Sequence, residues 1–282
     1  MSAQLSPVQP VSANEGSDPS YVQRQLALFE ASVLKQAKWR AIATAIGNTI
    51  AHDGLDLGSD TGAISTLLRA RGGRWSSADL TSRTVTAIRR MVGERVFLVD
   101  GPDLPFTDGS FDLVVVVDML EHVTDDRHLL REIARVLRPG GRAVVNVPHV
   151  PTHRPTFRIL PHIRHALGLT DAWHGHLHAG YDAATLERLL PATLRLTSAH
   201  AYSKAFSHTL DTALNWAYRR RAGARASSDA KGMVVTGDDV GEKGATLLRR
   251  LRGPMRAFVA LDALLPVAAG YSLVVTLERA DD

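Results

Sequence analysis

LDLGSDTG, residues 55–62, is the stretch on which the reading of this chain turns. Leu55 and Leu57 flank Asp56 as in a short buried strand, and Gly58 opens a turn of small residues. Ala63-Ile64-Ser65-Thr66-Leu67-Leu68 then follows as a helix that stops at Gly72-Gly73. Strand, tight turn and helix open a crossover unit, and glycines in such a turn let backbone press against a ligand. An acid, Asp60, sits in the middle of it, so any ligand for this turn has to tolerate a carboxylate.

The same rhythm continues outward. A second strand is expected to end near Ala78, with Thr81 capping a helix that carries Val85, Ile88 and Met91 and closes at Gly93. Residues 95–99 read as a third strand. Phe111-Asp112 leads into Leu113-Val114-Val115-Val116-Val117, a continuous apolar run of the kind buried on both faces at the centre of a parallel sheet. Thr124 is the expected cap of a helix with Leu129, Leu130, Ile133, Val136 and Leu137 on one face, and Arg138-Pro139-Gly140-Gly141 turns into a strand over 143–147. Five strands in this alternation predict an α/β, Rossmann-like doubly wound fold. Upstream, Ser20 is placed to cap one helix whose apolar residues Val22, Leu26, Phe29, Val33, Ala37 and Ile46 reach to Gly47-Asn48. Downstream come a helix over 183–190, a strand over 194–201, an insertion over 203–269 with two arginine groups, and a last strand over 271–277. The expected organisation is a flexible tail over 1–18, a helical region over 19–50, a ligand-binding core over 51–148, and substrate-side loops, helical insertion and final strand of the same domain over 149–282.

Composition narrows the class. With 282 residues and 45% apolar content the chain can bury a full core. The longest apolar stretch, 257–277, is broken by Asp262, Pro266 and Gly270, which argues against a spanning helix. The first twenty residues lack a basic start and an apolar centre, so they read as a tail rather than an export signal, and a cytoplasmic location is expected. The absence of cysteine excludes disulfides, thiolate catalysis and cysteine-ligated zinc. A net charge of +4 is too small to imply nucleic acid by itself.

Charge also sorts the ligands. A dinucleotide would set its pyrophosphate against the helix start, where Asp60 beside Asp56 repels it. S-adenosylmethionine instead brings an ammonium and a sulfonium against a single carboxylate, and two unit charges at about 4 Å are worth on the order of 4 kcal/mol at an intermediate dielectric. The plainer role for Asp60 is a helix cap, which is compatible with ligand contact. Asp79, at the end of the second strand, has two oxygens that match the paired hydroxyls of a ribose, or else it is a helix-start acid. Asp100 can accept an adenine amino group while Gly101 lets backbone approach the ring; the alternative is an ordinary turn.

LDLGSDTG, SADLT, VDGPDLPFTDGSFDLVVVVDMLEHV and LREIARVLRPGGRAVVNVP together resemble the class I S-adenosylmethionine-dependent methyltransferases of the type 11 group, especially the quinone-biosynthesis O-methyltransferases. The resemblance spans residues 51–148 and thins to a similar final hairpin layout. It implies a seven-stranded sheet with an antiparallel last strand and a helical insertion before it, and S-adenosyl-L-methionine as cofactor. It further implies that Asp56, Gly58 and Gly62 shape the methionine side of the site, that Asp79 holds the ribose and Asp100 the adenine amino group, and that Asp118 lies near the transferred methyl. The family turn usually has glycine where this chain has Asp60.

Methyl transfer from positive sulfur depends mainly on positioning and electrostatics, but an oxygen acceptor still has a proton to lose. His122, after the central strand, His149, after the fifth, and His176, with His174 and His178 in WHGHLHAGY, are the candidate bases. The set Asp118, Glu121, His122 and a later histidine also resembles the ligands of divalent-metal methyltransferases, although acids are common at a helix start. The expected acceptor is a small or lipid-linked molecule with a hydroxyl. Peripheral membrane contact is suggested by arginines beside Leu214, Trp216 and Phe258, which a solvated basic face also explains. An RNA acceptor is a lesser alternative, since no separate RNA-binding module is visible. Two further rivals are a catalytically silent binding protein of the same fold and a nicotinamide-dependent oxidoreductase; the acidic turn disfavours the latter.

Overall fold

The computed structural model describes residues 16–150, 159–169, 175–222, 237–265 and 270–281. Most of the expected tail, His174 and the polar stretch over 224–236 lie outside the described residues. Seven strands form one sheet: β1 (Asp53–Leu57), β2 (Arg74–Asp79), β3 (Val96–Leu98), β4 (Phe111–Val117), β5 (Leu137–Pro148), β6 (Leu194–Tyr202) and β7 (Ser272–Arg279). Their order is β3-β2-β1-β4-β5-β7-β6. The first five strands pair in parallel, and β7 runs antiparallel between β5 and β6. The strand order reverses between β1 and β4, so the carboxyl ends of these two strands flank the crevice in which such sheets bind ligands.

Around the sheet lie α1 (Pro19–Ala31), α2 (Val33–Ile46), α3 (Ala63–Arg69), α4 (Ser82–Val92), α5 (Asp126–Val136), α6 (Ile159–Ala166), α7 (Ala183–Leu189), α8 (Ala205–Ala222) and α9 (Gly237–Ala260). The valine run of β4 divides by alternation. Leu113, Val115 and Val117 pack with α1 to α4, whereas Val114 and Val116 pack with α5 and α7. Both faces are sealed, as a continuous apolar strand requires.

Three local expectations need correction. The single N-terminal helix is two, because Ser32 takes an extended conformation and its hydroxyl accepts from the Lys35 amide at 3.3 Å. The apolar spacing from Phe29 to Val33 carries across the break, so periodicity alone does not reveal it. Asp18 rather than Ser20 caps α1, accepting from the Tyr21 amide at 3.1 Å, and Asp125 rather than Thr124 caps α5, accepting from the His128 amide at 2.8 Å. In both places a carboxylate near the expected hydroxyl takes the cap, and its charge also suits the helix dipole.

The insertion closes on itself and on the N-terminus. Asp262, in the 3-10 turn Leu261–Leu264 after α9, caps α8 by accepting from the amides of Lys204, Phe206 and Ser207 at 2.8–3.2 Å. The residue that interrupts the apolar stretch is thus a tertiary helix cap. α9 then packs on α1 and α2. Among the described residues no helix is long and apolar enough to cross a membrane.

At the amino ends of the strands, Asp53 joins four segments. It accepts from Arg74 at 2.6 Å and from Arg138 at 2.9 Å, while its amide donates to Asp112, itself bound to Arg138. Burial alone would raise the Asp53 carboxyl, but hydrogen bonds from Arg138, His52 and Arg74 hold it well below the usual carboxylate range. Asp53→Asn is expected to destabilise the fold by about 1–2 kcal/mol, the half-exposed arginines being screened by solvent. Because the folded pKa lies below the unfolded value of about 3.9, this contribution is complete above that pH and is lost as pH falls through the folded value. Urea denaturation should therefore show the full gap between wild type and variant at neutral pH and a narrowing gap below about pH 4.

Candidate functional site

The turn after β1 is built on a carboxylate facing inward. Asp56 is fully buried and accepts from the hydroxyls of Ser59, Ser65 and Ser77, which ties β1 to α3 and β2. Burial raises its pKa, and the hydroxyl hydrogen bonds pull it back down. Gly58 donates its amide to the Ala78 carbonyl at 3.0 Å and has φ of 88°. Gly62, with φ of 81°, has no room for a side chain, since a Cβ there would lie 2.8 Å from Met91. These contacts leave Asp60 at the tip of the turn, in left-handed backbone with φ of 50°. Asp and Asn tolerate that conformation better than other non-glycine residues.

β2 delivers Asp79 to the same place. Its side chain is buried, one oxygen accepting from the Leu80 amide at 2.7 Å and the other from the Asp60 amide at 3.3 Å. Asp60 and Asp79 are therefore adjacent. Asp100 and Gly101 are exposed on the loop after β3. Gly101 has φ of 126°, and a Cβ there would meet nothing within 4 Å, so the space beside its backbone is open.

Asp118 follows β4, again in left-handed backbone, with φ of 45°. The Asn146 amide donates to its Oδ1 at 2.6 Å, Lys38 of α2 pairs with its Oδ2, and the Tyr202 hydroxyl donates to the Asn146 Oδ1 at 2.6 Å. This chain of contacts joins α2, β4, β5 and β6. Burial works against the Lys38 charge, but Asp118, Tyr202 and Asp60 outweigh it and hold the ammonium protonated. Asp60 also acts electrostatically on Lys35. Neither lysine was singled out from the sequence. The available signal was their i, i+3 spacing, which sets two cations on one face of α2.

The three candidate bases occupy different places. His149 follows β5, with Nδ1 2.6 Å from the Gly270 carbonyl and its backbone bridged to Tyr181. His122 ends the 3-10 turn Leu120–His122 after β4 and faces His176 with ring centroids 5.0 Å apart. His178 points away from that pair, with Nε2 3.1 Å from the Val123 carbonyl and its ring against Tyr181. The structure thus brings His122 and His176 together and sets His149 apart on the next strand.

Residues 55–145 match the family described as methyltransferase domain. Demethylmenaquinone methyltransferase of Clavibacter sepedonicus is 39% identical over 125 residues, which cover 42% of this chain and 49% of that protein. The chain spans about half the length of the curated relatives it matches. Among solved structures, the cyclase SpnF is similar with a TM-score of 0.54 at 19% identity, covering 88% of this chain and 83% of that one. A Bacillus halodurans protein assigned as a methyltransferase gives 0.54 at 16% identity, covering 86% and 99%. At such identities these two likenesses concern the fold alone. Residues 55–145 thus match the methyltransferase domain family, and the chain resembles the quinone-biosynthesis methyltransferases.

Proposed function

We propose that this chain transfers a methyl group from S-adenosyl-L-methionine to a hydroxyl oxygen of a small or lipid-linked acceptor. The observation that carries this reading is the meeting of Asp60, Asp79 and Asp118 at the carboxyl ends of β1, β2 and β4, where the described structure already draws in the Lys38 ammonium. Such a cleft suits a nucleoside that bears positive charge and disfavours a pyrophosphate.

The residues fit that cofactor in three respects. Asp118 and Asp60 offer negative charge to its cationic end. Asp79 can take the ribose hydroxyls once its 3.3 Å contact with the Asp60 amide yields, that being the longer of its two backbone contacts. Asp100 and the open space at Gly101 suit the adenine edge. Asp56, Gly58 and Gly62 act from beneath by fixing the turn that carries Asp60. When bound, S-adenosyl-L-methionine supplies an electrophilic methyl on positive sulfur.

The protein's remaining tasks are to orient the acceptor, to exclude water and to take a proton. For the last we assign His149. Its Nδ1 donates to the Gly270 carbonyl, which leaves the lone pair on Nε2 and fixes the ring just past the carboxyl end of β5. The acceptor's apolar character is supported by α9 and the turn after it, where Leu247, Leu251, Phe258 and Leu264 are exposed among Arg249, Arg250 and Arg256. That face suits an anionic lipid surface or a lipid tail.

One specific observation favours the rival reading of a catalytically silent protein, namely that Lys38 already supplies the cation that Asp118 attracts. Calorimetry separates the two. Wild type is expected to bind the cofactor and to pass labelled methyl to a component of a fractionated extract. Asp79→Ala is expected to abolish transfer while the circular dichroism stays native; unchanged transfer would remove Asp79 from the ribose role. Lys38→Met, which removes the competing ammonium, is expected to tighten cofactor binding about 3- to 10-fold at low salt, a difference of about 1 kcal/mol, and an unchanged Kd would separate Lys38 from the cofactor subsite. His149→Gln is expected to lower kcat by about 100-fold or more with little change in cofactor Kd; an unaltered kcat sinks its role as base.

A further inference from the structure

Beside the cofactor cleft, two segments distant in sequence bring Glu121, His122 and His176 together. One potential ligand atom from each lies within 4.8 Å of the others. The pairing is held by backbone: the Leu177 and His178 amides donate to the Glu121 carbonyl at 2.8 and 3.2 Å, pinning the later loop onto the 3-10 turn. His122 Nδ1 lies 3.0 Å from the Gly175 carbonyl. A carbonyl only accepts, so Nδ1 carries the proton and the ring lone pair falls on Nε2. His178 anchors the same loop through the Val123 carbonyl. Glu121 is fully buried, where the charge of an ion beside it is least screened by solvent.

Two other groups of similar composition already serve a resident cation. In the group His52, Asp53 and Asp112, Arg138 bridges both carboxylates, and in the group Asp103, His128 and Glu132, Arg135 holds the glutamate. A metal ion entering either would have to displace a guanidinium.

We propose that Glu121, His122 and His176 form a binding site for one divalent transition-metal ion, zinc being the preferred occupant. Two neutral imidazoles and one carboxylate are the donor set of three-ligand zinc sites that keep a position for water or substrate. Magnesium prefers six oxygen ligands and is poorly served by nitrogen donors. A ring whose second nitrogen donates to a backbone carbonyl is the usual support for a metal-bound histidine, since it sets both the tautomer and the ring direction. The backbone ties across the two segments prepare the geometry before an ion arrives, so little ordering remains to oppose binding. The site's use, though not its existence, rests on the methyl-transfer reading. A cation held there would act as a Lewis acid on an acceptor hydroxyl and lower its pKa, the proton passing to His149 or to solvent; as the oxygen bonds to the methyl carbon, the carbon–sulfur bond of the cofactor breaks and the sulfur leaves as the neutral thioether S-adenosylhomocysteine.

The test uses tag-free full chain, stripped with a chelator and titrated calorimetrically with zinc chloride and with magnesium chloride. Wild type is expected to take one zinc per chain and to show no magnesium heat at millimolar concentration. His176→Ala and Glu121→Gln are expected to weaken zinc at least tenfold, whereas His128→Ala, in one of the arginine-held groups, is expected to leave it unchanged. Thermal melting identifies any variant that fails to fold; His176 is half-buried on a loop, so its variant carries the test if the buried glutamate cannot be replaced. The proposal is overturned if wild type takes no zinc, or if zinc binding survives intact in a folded His176→Ala protein. Titrating the same stripped samples with S-adenosyl-L-methionine keeps the two readings apart. Cofactor binding without zinc binding overturns the metal site alone, and zinc binding without cofactor binding overturns the transferase reading and leaves the site standing.

Discussion

Asp56 is a carboxylate at full burial that three serine hydroxyls make tolerable, and the geometry of the cleft depends on it. A buried charge of this kind is costly unless its lone pairs are taken up, so Ser59, Ser65 and Ser77 must converge on it and the turn between β1 and α3 is drawn tight. Gly58 and Gly62 supply the left-handed backbone that the tightness demands. Asp60 is carried to the tip as a consequence, with its amide against Asp79. A fully buried acid thus sets the position of Asp60, which is only partly buried.

The cleft this creates gathers like charges, and the fold compensates from a distance. Asp60 and Asp118 follow the neighbouring parallel strands β1 and β4, both in left-handed backbone. Lys38 and Lys35 are brought over them by α2, which in turn is held by α9 of the insertion. The N-terminal helices and the insertion before the last strand therefore form one cover, through which the parts of the chain outside residues 55–145 reach the charged turn. A cationic ligand entering the cleft would compete with a lysine of the protein itself, because Lys38 of α2 already pairs with Asp118.

The second cluster, Glu121, His122 and His176, follows the same logic with backbone in place of charge. Its members come from a turn and a loop more than fifty residues apart, and the hydrogen bonds to the Glu121 carbonyl bring them into register. His149 is separated from that pair by a strand position and takes its orientation from Gly270. Histidines that look interchangeable along the chain are thereby given unlike surroundings.

Sequence by itself determined what local pattern controls. The valine run was legible as a central strand, because a short, β-branched apolar run after a turn suits burial on both faces of a parallel sheet. The turns at Gly58, Gly62 and Gly93 required positive φ, and the spacing of Asp56, Asp79, Asp100 and Asp118 at the ends of successive strands was legible from the strand-turn-helix rhythm. Tertiary structure alone decided how residues far apart in the chain meet. No periodicity reports that Lys38 meets Asp118, that Asp262 caps a helix some fifty residues before it, or that His122 faces His176 while His178 turns away. Even the break at Ser32 escaped the pattern, since the apolar stripe runs through it unbroken. The reason is common to the first three: burial periodicity records which side of an element faces the core, whereas ion pairs, tertiary caps and side-chain clusters depend on the packing of elements against one another, which appears only once the sheet has folded.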